Sequence, residues 1–128
     1  MFKSAHLLVQ EAKKAVKEFS AADVQQRLSS AGTLLIDVRE PDEYRQGHIA
    51  GAINIPRGML EFKISSEPAL QQLDRPLIVY CKTSGRAALS VAALQTMGFT
   101  NVISLAGGFD AWAAGNLPVA KPREMSFE

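Results

Sequence analysis

A chain of 128 residues, 47% hydrophobic and 21% charged, has the length of one domain and enough apolar surface for a core, which excludes a disordered chain. Its 14 Lys and Arg against 13 Asp and Glu leave a net charge of +1, without the basic excess of a dedicated nucleic-acid binder. The single cysteine, Cys81, excludes an internal disulfide and metal sites built on paired thiolates. His6 and His48 lie far apart in sequence with no zinc-ligand spacing, so neither a metal nor a cofactor is expected. No stretch approaches membrane-spanning length, and Glu11, Lys13 and Lys14 stand where a signal peptide would be apolar. A cytoplasmic location without membrane or nucleic-acid partners is therefore expected.

In chain order, a first helix starts after Ser4 and runs to about residue 14, with Leu8, Ala12, Ala15 and Val16 on one face. Residues 16–19 suit a short edge strand. Ser20 opens a second helix, with Asp23 as capping-box partner three residues on and Gly32 as its stop. Residues 33–38, leucine and β-branched, read as a strand. Pro41 suits the first turn of the next helix, Asp42 and Glu43 complement its dipole, and Gly47 ends it. Residues 53–55 form a short strand closed by Pro56, and 59–62 and 68–73 are short helices. Residues 77–80 make an apolar strand buried on both faces. A helix over 86–97 ends at Gly98, and 102–105 is the last strand. Gly107 and Gly108 turn into a final helix carrying Phe109 and Trp112, stopped by Gly115 and Pro118; the tail from Ala120 reads as loose. Alternating strands and helices predict an α/β fold with a mainly parallel sheet covered by helices.

The segment that carries chemistry is Cys81-Lys82-Thr83-Ser84-Gly85-Arg86, between a buried strand and a helix. Small, flexible residues let such a loop curl with successive N–H groups inward, and the following helix adds the positive end of its dipole. Between Arg75 and Phe109 the only charged residues are Arg75, Lys82 and Arg86, so the local field is positive. Thiols in such settings titrate below the ~8.5 of free cysteine, and each unit is about 1.4 kcal/mol in favour of thiolate. The plainer reading, a packed cysteine at a strand end, accounts for neither the polar loop nor the helix start. Asp37 and Arg39 end another parallel strand and belong on the same sheet edge, where open parallel sheets bind ligands. A carboxylate beside a thiolate would oppose its formation, so Asp37 is read as structural, accepting hydrogen bonds or pairing with Arg39.

These residues resemble the rhodanese family from about Phe19 to Val119. The resemblance rests on Asp37-Val38-Arg39-Glu40, Glu43-Tyr44, Gly47-His48-Ile49, Gly51-Ala52, Asn54-Ile55-Pro56, Tyr80-Cys81 with its loop to Arg86, and Leu105-Ala106-Gly107-Gly108 with Trp112. It implies a three-layer sandwich around a central, mainly parallel five-stranded sheet at 19–119, preceded by a helical extension at 1–18 and followed by a tail at 120–128. It also implies a persulfide cycle on Cys81, with thiosulfate or a related sulfane donor and a thiol, cyanide or sulfur-accepting protein as acceptor, in a monomer or homodimer. By position, the amides of Lys82, Thr83, Ser84, Gly85 and Arg86 form the anion cradle, with Asp37, Arg39, His48 and Arg57 in support. Family loops often carry glycine at position 84 and serine at position 87, where this chain has Ser84 and Ala87. A positive φ at Ser84 would cost about 1 kcal/mol.

Rival readings differ in particular residues. Cysteine phosphatases and arsenate reductases place five residues between Cys and Arg, whereas four separate Cys81 from Arg86, and Tyr80 stands where a phosphatase usually has histidine. A non-catalytic rhodanese-like module commonly lacks the cysteine. A cysteine hydrolase would need a histidine beside Cys81, for which His48 is the one candidate; its plainer reading is a hydrogen-bonded residue in its turn. Met59, Leu60 and Phe62 beside Arg57 suggest an apolar rim for a protein acceptor, against the simpler reading of a packed short helix. The reading expects inward-facing loop amides around a thiol open to solvent; a thiol walled off from solvent with those donors turned outward would rule sulfur transfer out.

Overall fold

The structure, a computed structural model, describes residues 1–121; the expected tail beyond them lies outside the described residues. In chain order the elements are α1 (Ala5–Lys13), β1 (Glu18–Phe19), α2 (Ala21–Leu28), β2 (Leu34–Asp37), α3 (Pro41–Gln46), β3 (His48–Ile49) and β4 (Ile53–Asn54). A 3-10 turn at Arg57–Met59 leads into α4 (Leu60–Ser66), and a second at Pro68–Leu70 precedes β5 (Leu77–Tyr80). The chain continues through α5 (Gly85–Thr96), β6 (Val102–Leu105), α6 (Gly108–Ala114) and β7 (Val119–Ala120). Among the described residues no helix is long and apolar enough to cross a membrane.

Five strands form one sheet in the order β1-β6-β5-β2-β4, and every pair is parallel. The central strands β2, β5 and β6 are buried on both faces, which is why they read as apolar runs rather than alternating ones. Alternation still sorts their side chains. Ile36, Leu77, Val79 and Val102 pack with Leu60 and Ile64 of α4 and with Ala87, Val91 and Leu94 of α5. Leu35, Ile78, Tyr80, Ile103 and Leu105 pack on the other face with Val24 of α2 and Trp112 of α6. The result is the mainly parallel sheet between two helical layers, with α1 as an additional N-terminal helix.

Local signals set most helix starts. The Ser4 and Ser20 hydroxyls accept from the amides of Leu7 and Asp23 at 3.1 and 3.2 Å. At α3 the full capping box is Glu40 with Glu43, followed by Pro41 in the first turn. One element departs from the sequence reading. Ala120 is paired rather than loose: β7 runs antiparallel to β3, joining His48 to Ala120 and Ile49 to Val119. Strands of two residues carry no periodicity of their own, so this ribbon arises from tertiary contact. The apolar rim is also revised, because Leu60 is fully buried while Met59 and Phe62 stay exposed.

The ribbon is tied to the main sheet through Tyr80, whose phenol oxygen accepts from the Ile49 amide at 3.0 Å. Burial and the adjacent Asp37 carboxylate push the phenol pKa far above its usual range, so the hydroxyl stays protonated. Tyr80→Phe leaves that buried amide without an acceptor and is expected to cost about 1–3 kcal/mol, read as a lower midpoint in urea unfolding. An unchanged midpoint would show that the bond adds no stability.

Candidate active site

Parallel pairing places the ends of β2 and β5 side by side, with Asp37 in register with Tyr80 and the Val38 amide donating to the Tyr80 carbonyl at 3.0 Å. Cys81 follows directly, on the α5 face of the sheet with Ala87 and Val91. The Ala87 N–H, in the first turn of α5, points at Cys81 Sγ at 3.4 Å. Cys81 is 1% exposed, which corrects the expectation of an open thiol, while the Ala87 donor is turned toward the sulfur and not outward. The rim above it, Lys82 and Thr83, is exposed.

The neighbouring helix fixes the loop's orientation. The Phe109 amide donates to the Cys81 carbonyl at 2.8 Å and the Asp110 amide to the Lys82 carbonyl at 3.1 Å. Gly108 has φ +59°, and a Cβ there would fall 2.4, 2.5 and 2.7 Å from the carbonyl oxygens of Thr83, Cys81 and Lys82. Only glycine permits so close an approach. In a planar trans peptide the carbonyl and the next N–H point in opposite directions. Three carbonyls turned onto α6 therefore turn the amides of Lys82, Thr83 and Ser84 away from it. The amides of Lys82 to Arg86 have no protein acceptor among the described residues.

The charges around the loop differ from the sequence picture of an uncompensated positive segment. Glu43 of α3 takes both Arg86 Nη1 and Nη2 at 2.6 and 3.1 Å. Asp110 of α6 takes Lys82 Nζ at 2.7 Å, and Glu61 takes Arg57 at 2.6 Å. The carboxylates come from elements remote in sequence, so a segment free of acids is not free of them in space. Arg86, in the first turn of α5, stays charged: the Glu43 hydrogen bond raises its pKa, as does the field of Cys81. Ser84 has φ −153° and carries no left-handed strain; its hydroxyl accepts from Lys13 Nζ of α1 at 2.7 Å. Gly85 lies under the Val9 side chain.

Beneath the loop, Asp37 and Arg39 form a buried pair. Arg39 donates from its backbone amide and from Nε and Nη2 to the carboxylate at 2.8–3.1 Å, and from Nη2 to the Gly47 carbonyl at 2.7 Å. Burial opposes the guanidinium charge, but the bonds to Asp37 outweigh it and the Arg39 pKa rises. Its Cζ lies 4.4 Å over the Phe109 ring, beside the residues that hold the loop carbonyls. Asn54 donates to the carbonyls of both Asp37 and Arg39 at 3.0 and 2.9 Å. His48 binds the Tyr44 carbonyl through Nδ1 at 3.0 Å and stacks on the Tyr44 ring, so it serves its own turn. Arg57 is likewise turned to Glu61 on α4. Among the described residues no three His, Cys, Asp or Glu side chains gather as metal ligands.

Glu43, Asp110, Gly108, Asn54 and Lys13 shape the site without having been read as site residues. The sequence held partial signals: Glu43 follows Pro41 as a first-turn acid, and the glycine pair precedes an aromatic. None of them says which distant atom is touched. The Arg86 hydrogen bond holds the Glu43 carboxyl below its usual range. A lowered folded-state pKa means that this pair's stabilisation is complete above the ordinary glutamate value of about 4.3 and is lost as pH falls through the lower folded value. Glu43→Gln is therefore expected to destabilise the protein at pH 7 and to leave it nearly unchanged at pH 3. Equal losses at both pH values, in denaturant titrations, would contradict the pair.

Comparison with known proteins places this geometry. Residues 20–115 match the model of the rhodanese-like domain. A sulfurtransferase of Allochromatium vinosum is 33% identical over 108 residues, covering 84% of this chain and 97% of its own. The thiosulfate sulfurtransferase GlpE of Ectopseudomonas mendocina is 35% identical over 101 residues, covering 77% of this chain and 89% of its own. A Rhodopseudomonas palustris protein of unknown function, described as a possible tyrosine phosphatase, superposes with a TM-score of 0.84 at 29% identity, covering 94% of this chain and 96% of its own. With the family model spanning most of the chain and a sulfurtransferase matching it nearly end to end, this protein belongs to the rhodanese-like sulfurtransferase family.

Proposed function

We propose that the chain moves a sulfane sulfur from thiosulfate, or a donor of the same kind, through a persulfide on Cys81 to a thiol, cyanide or protein acceptor. The observation that carries this reading is the Ala87 N–H directed at Cys81 Sγ, within a loop whose carbonyls are turned onto α6. In the first step the Cys81 thiolate attacks the outer sulfur of thiosulfate. An Sγ–S bond forms, the S–S bond to the sulfonate sulfur breaks, and sulfite leaves with that electron pair. In the second step the acceptor's nucleophile attacks the outer sulfur, and the Sγ–S electron pair returns to Cys81 as thiolate. With cyanide the product is thiocyanate; with a thiolate it is a new persulfide.

Each intermediate is an anion at one place, the setting in which preorganised amides are most effective. The persulfide's outer sulfur lies about 2 Å beyond Sγ, so loading moves the reactive atom from the floor toward the exposed rim. Arg86 and Lys82 keep their carboxylate partners and serve as fixed, partly neutralised cations that draw in a dianionic donor without binding it irreversibly. Asp37, Arg39 and Asn54 act as the frame. A cytoplasmic setting fits a single thiol kept reduced.

Phosphatase chemistry is the rival suggested by the Rhodopseudomonas palustris neighbour. Four residues between Cys81 and Arg86 make a tighter ring than a tetrahedral oxyanion needs, and Arg86 is engaged by Glu43 rather than presented to a phosphoryl group. Cys81→Ser is expected to abolish thiocyanate formation from thiosulfate and cyanide while retaining the wild-type circular dichroism and melting temperature. Turnover by this variant at the wild-type rate would overturn the assignment.

A further inference from the structure

Three helices in this protein begin after a serine, and one of those serines behaves differently. Ser4 and Ser20 have φ −72° and −63° with ψ near 160°, and each hydroxyl accepts from the amide three residues on. Ser84 precedes α5 with φ −153° and ψ −14°, and its hydroxyl caps nothing. The amide three residues on from Ser84 is that of Ala87, the one directed at Cys81 Sγ. A serine at a helix start is ordinarily stabilised by capping the first free amides. At this position, capping would take from the sulfur its donor in the first turn of α5.

What occupies the Ser84 hydroxyl is Lys13 Nζ, at 2.7 Å. We propose that Lys13 is a positioning residue that holds the Ser84 hydroxyl off the start of α5 and so reserves the Ala87 amide for the Cys81 sulfur. The inference rests on the persulfide reading above. An ammonium only donates, so it takes one lone pair of the hydroxyl oxygen and draws it toward α1 while leaving every backbone N–H free. Lys13 is itself held in place. Val9, one turn earlier on α1, packs over Gly85, the Ala15 carbonyl accepts from Gln95 Nε2 of α5 at 3.1 Å, and Glu18 lies 3.7 Å from Nζ. The N-terminal helix thus has a role at the site, although none of its residues is fully buried.

The other charges facing the loop are already paired: Lys82 with Asp110, Arg86 with Glu43, and Asp37 with Arg39. A direct effect of the Lys13 charge on the sulfur is the competing explanation, and a double variant separates the two. The readout is alkylation of Cys81 by iodoacetamide, an uncharged probe, followed against pH. Lys13→Ala is expected to slow alkylation at neutral pH about tenfold and to move the midpoint of the pH–rate profile upward, the scale of one hydrogen bond to an anion. The Lys13 side chain is 35% exposed and α1 buries no residue fully, so this variant keeps the core intact. In Lys13→Ala/Ser84→Ala no hydroxyl competes for the amide, and both rate and midpoint are expected to return to wild type.

A double variant as slow as Lys13→Ala would assign the effect to charge and overturn the proposal, as would wild-type reactivity in Lys13→Ala. Alkylation is followed on protein stripped of sulfur with cyanide beforehand, so it reads the Cys81 thiol without any transfer step. Failure here is therefore distinguishable from failure of the persulfide reading, which would appear as absent sulfur loading in the wild-type protein.

Discussion

The site depends on the contact between the start of α6 and the outer side of the cysteine loop. Two amides of α6 and the bare Cα of Gly108 hold three successive carbonyls in one direction, and peptide planarity sends the intervening N–H groups in the other. Backbone donors aimed by main-chain contacts on both sides cost no rearrangement when charge appears on the sulfur. The chemistry is thus written largely in backbone geometry. Asp37, Arg39 and Asn54 lock the neighbouring turn after β2, and Arg39 reaches Phe109, whose amide holds the Cys81 carbonyl.

The electrostatics follow the same division. A loop carrying two cations but no acids suggests a strongly positive pocket, yet the folded chain sets a carboxylate against each one: Asp110 on Lys82 and Glu43 on Arg86. What faces Cys81 Sγ is then the Ala87 amide in the first turn of α5, with the cations around the loop each already paired. Burial of the thiol sharpens this, because dipoles act more strongly away from water.

The central strands were legible because 33–38, 77–80 and 102–105 are apolar runs bounded by glycine, proline or polar residues, and burial on both faces is a property of the strand itself. Helix starts were legible at Ser4, Ser20 and Pro41, where the cap and the capped amide lie within one turn. Cys81 and its loop stood out because a polar, glycine-containing hexapeptide between strand and helix is a local pattern. The β3–β7 ribbon was not legible, since His48 and Ala120 find each other only after the sheet has formed. Gly108 read as a turn residue because its close approach is to carbonyls some 25 positions away. Ser84 read only as a loop residue, because its partner Lys13 comes from another helix 71 positions away.

The central claim is that Cys81 Sγ can bear a second sulfur as an anion. Intact-mass spectrometry of the full chain after incubation with thiosulfate tests it most directly, with sulfite measured in the same sample. The account predicts a mass increase of one sulfur atom, located to the Cys81 peptide, matched by released sulfite and removed by cyanide. An unchanged mass, or added sulfur on any other residue, would contradict it.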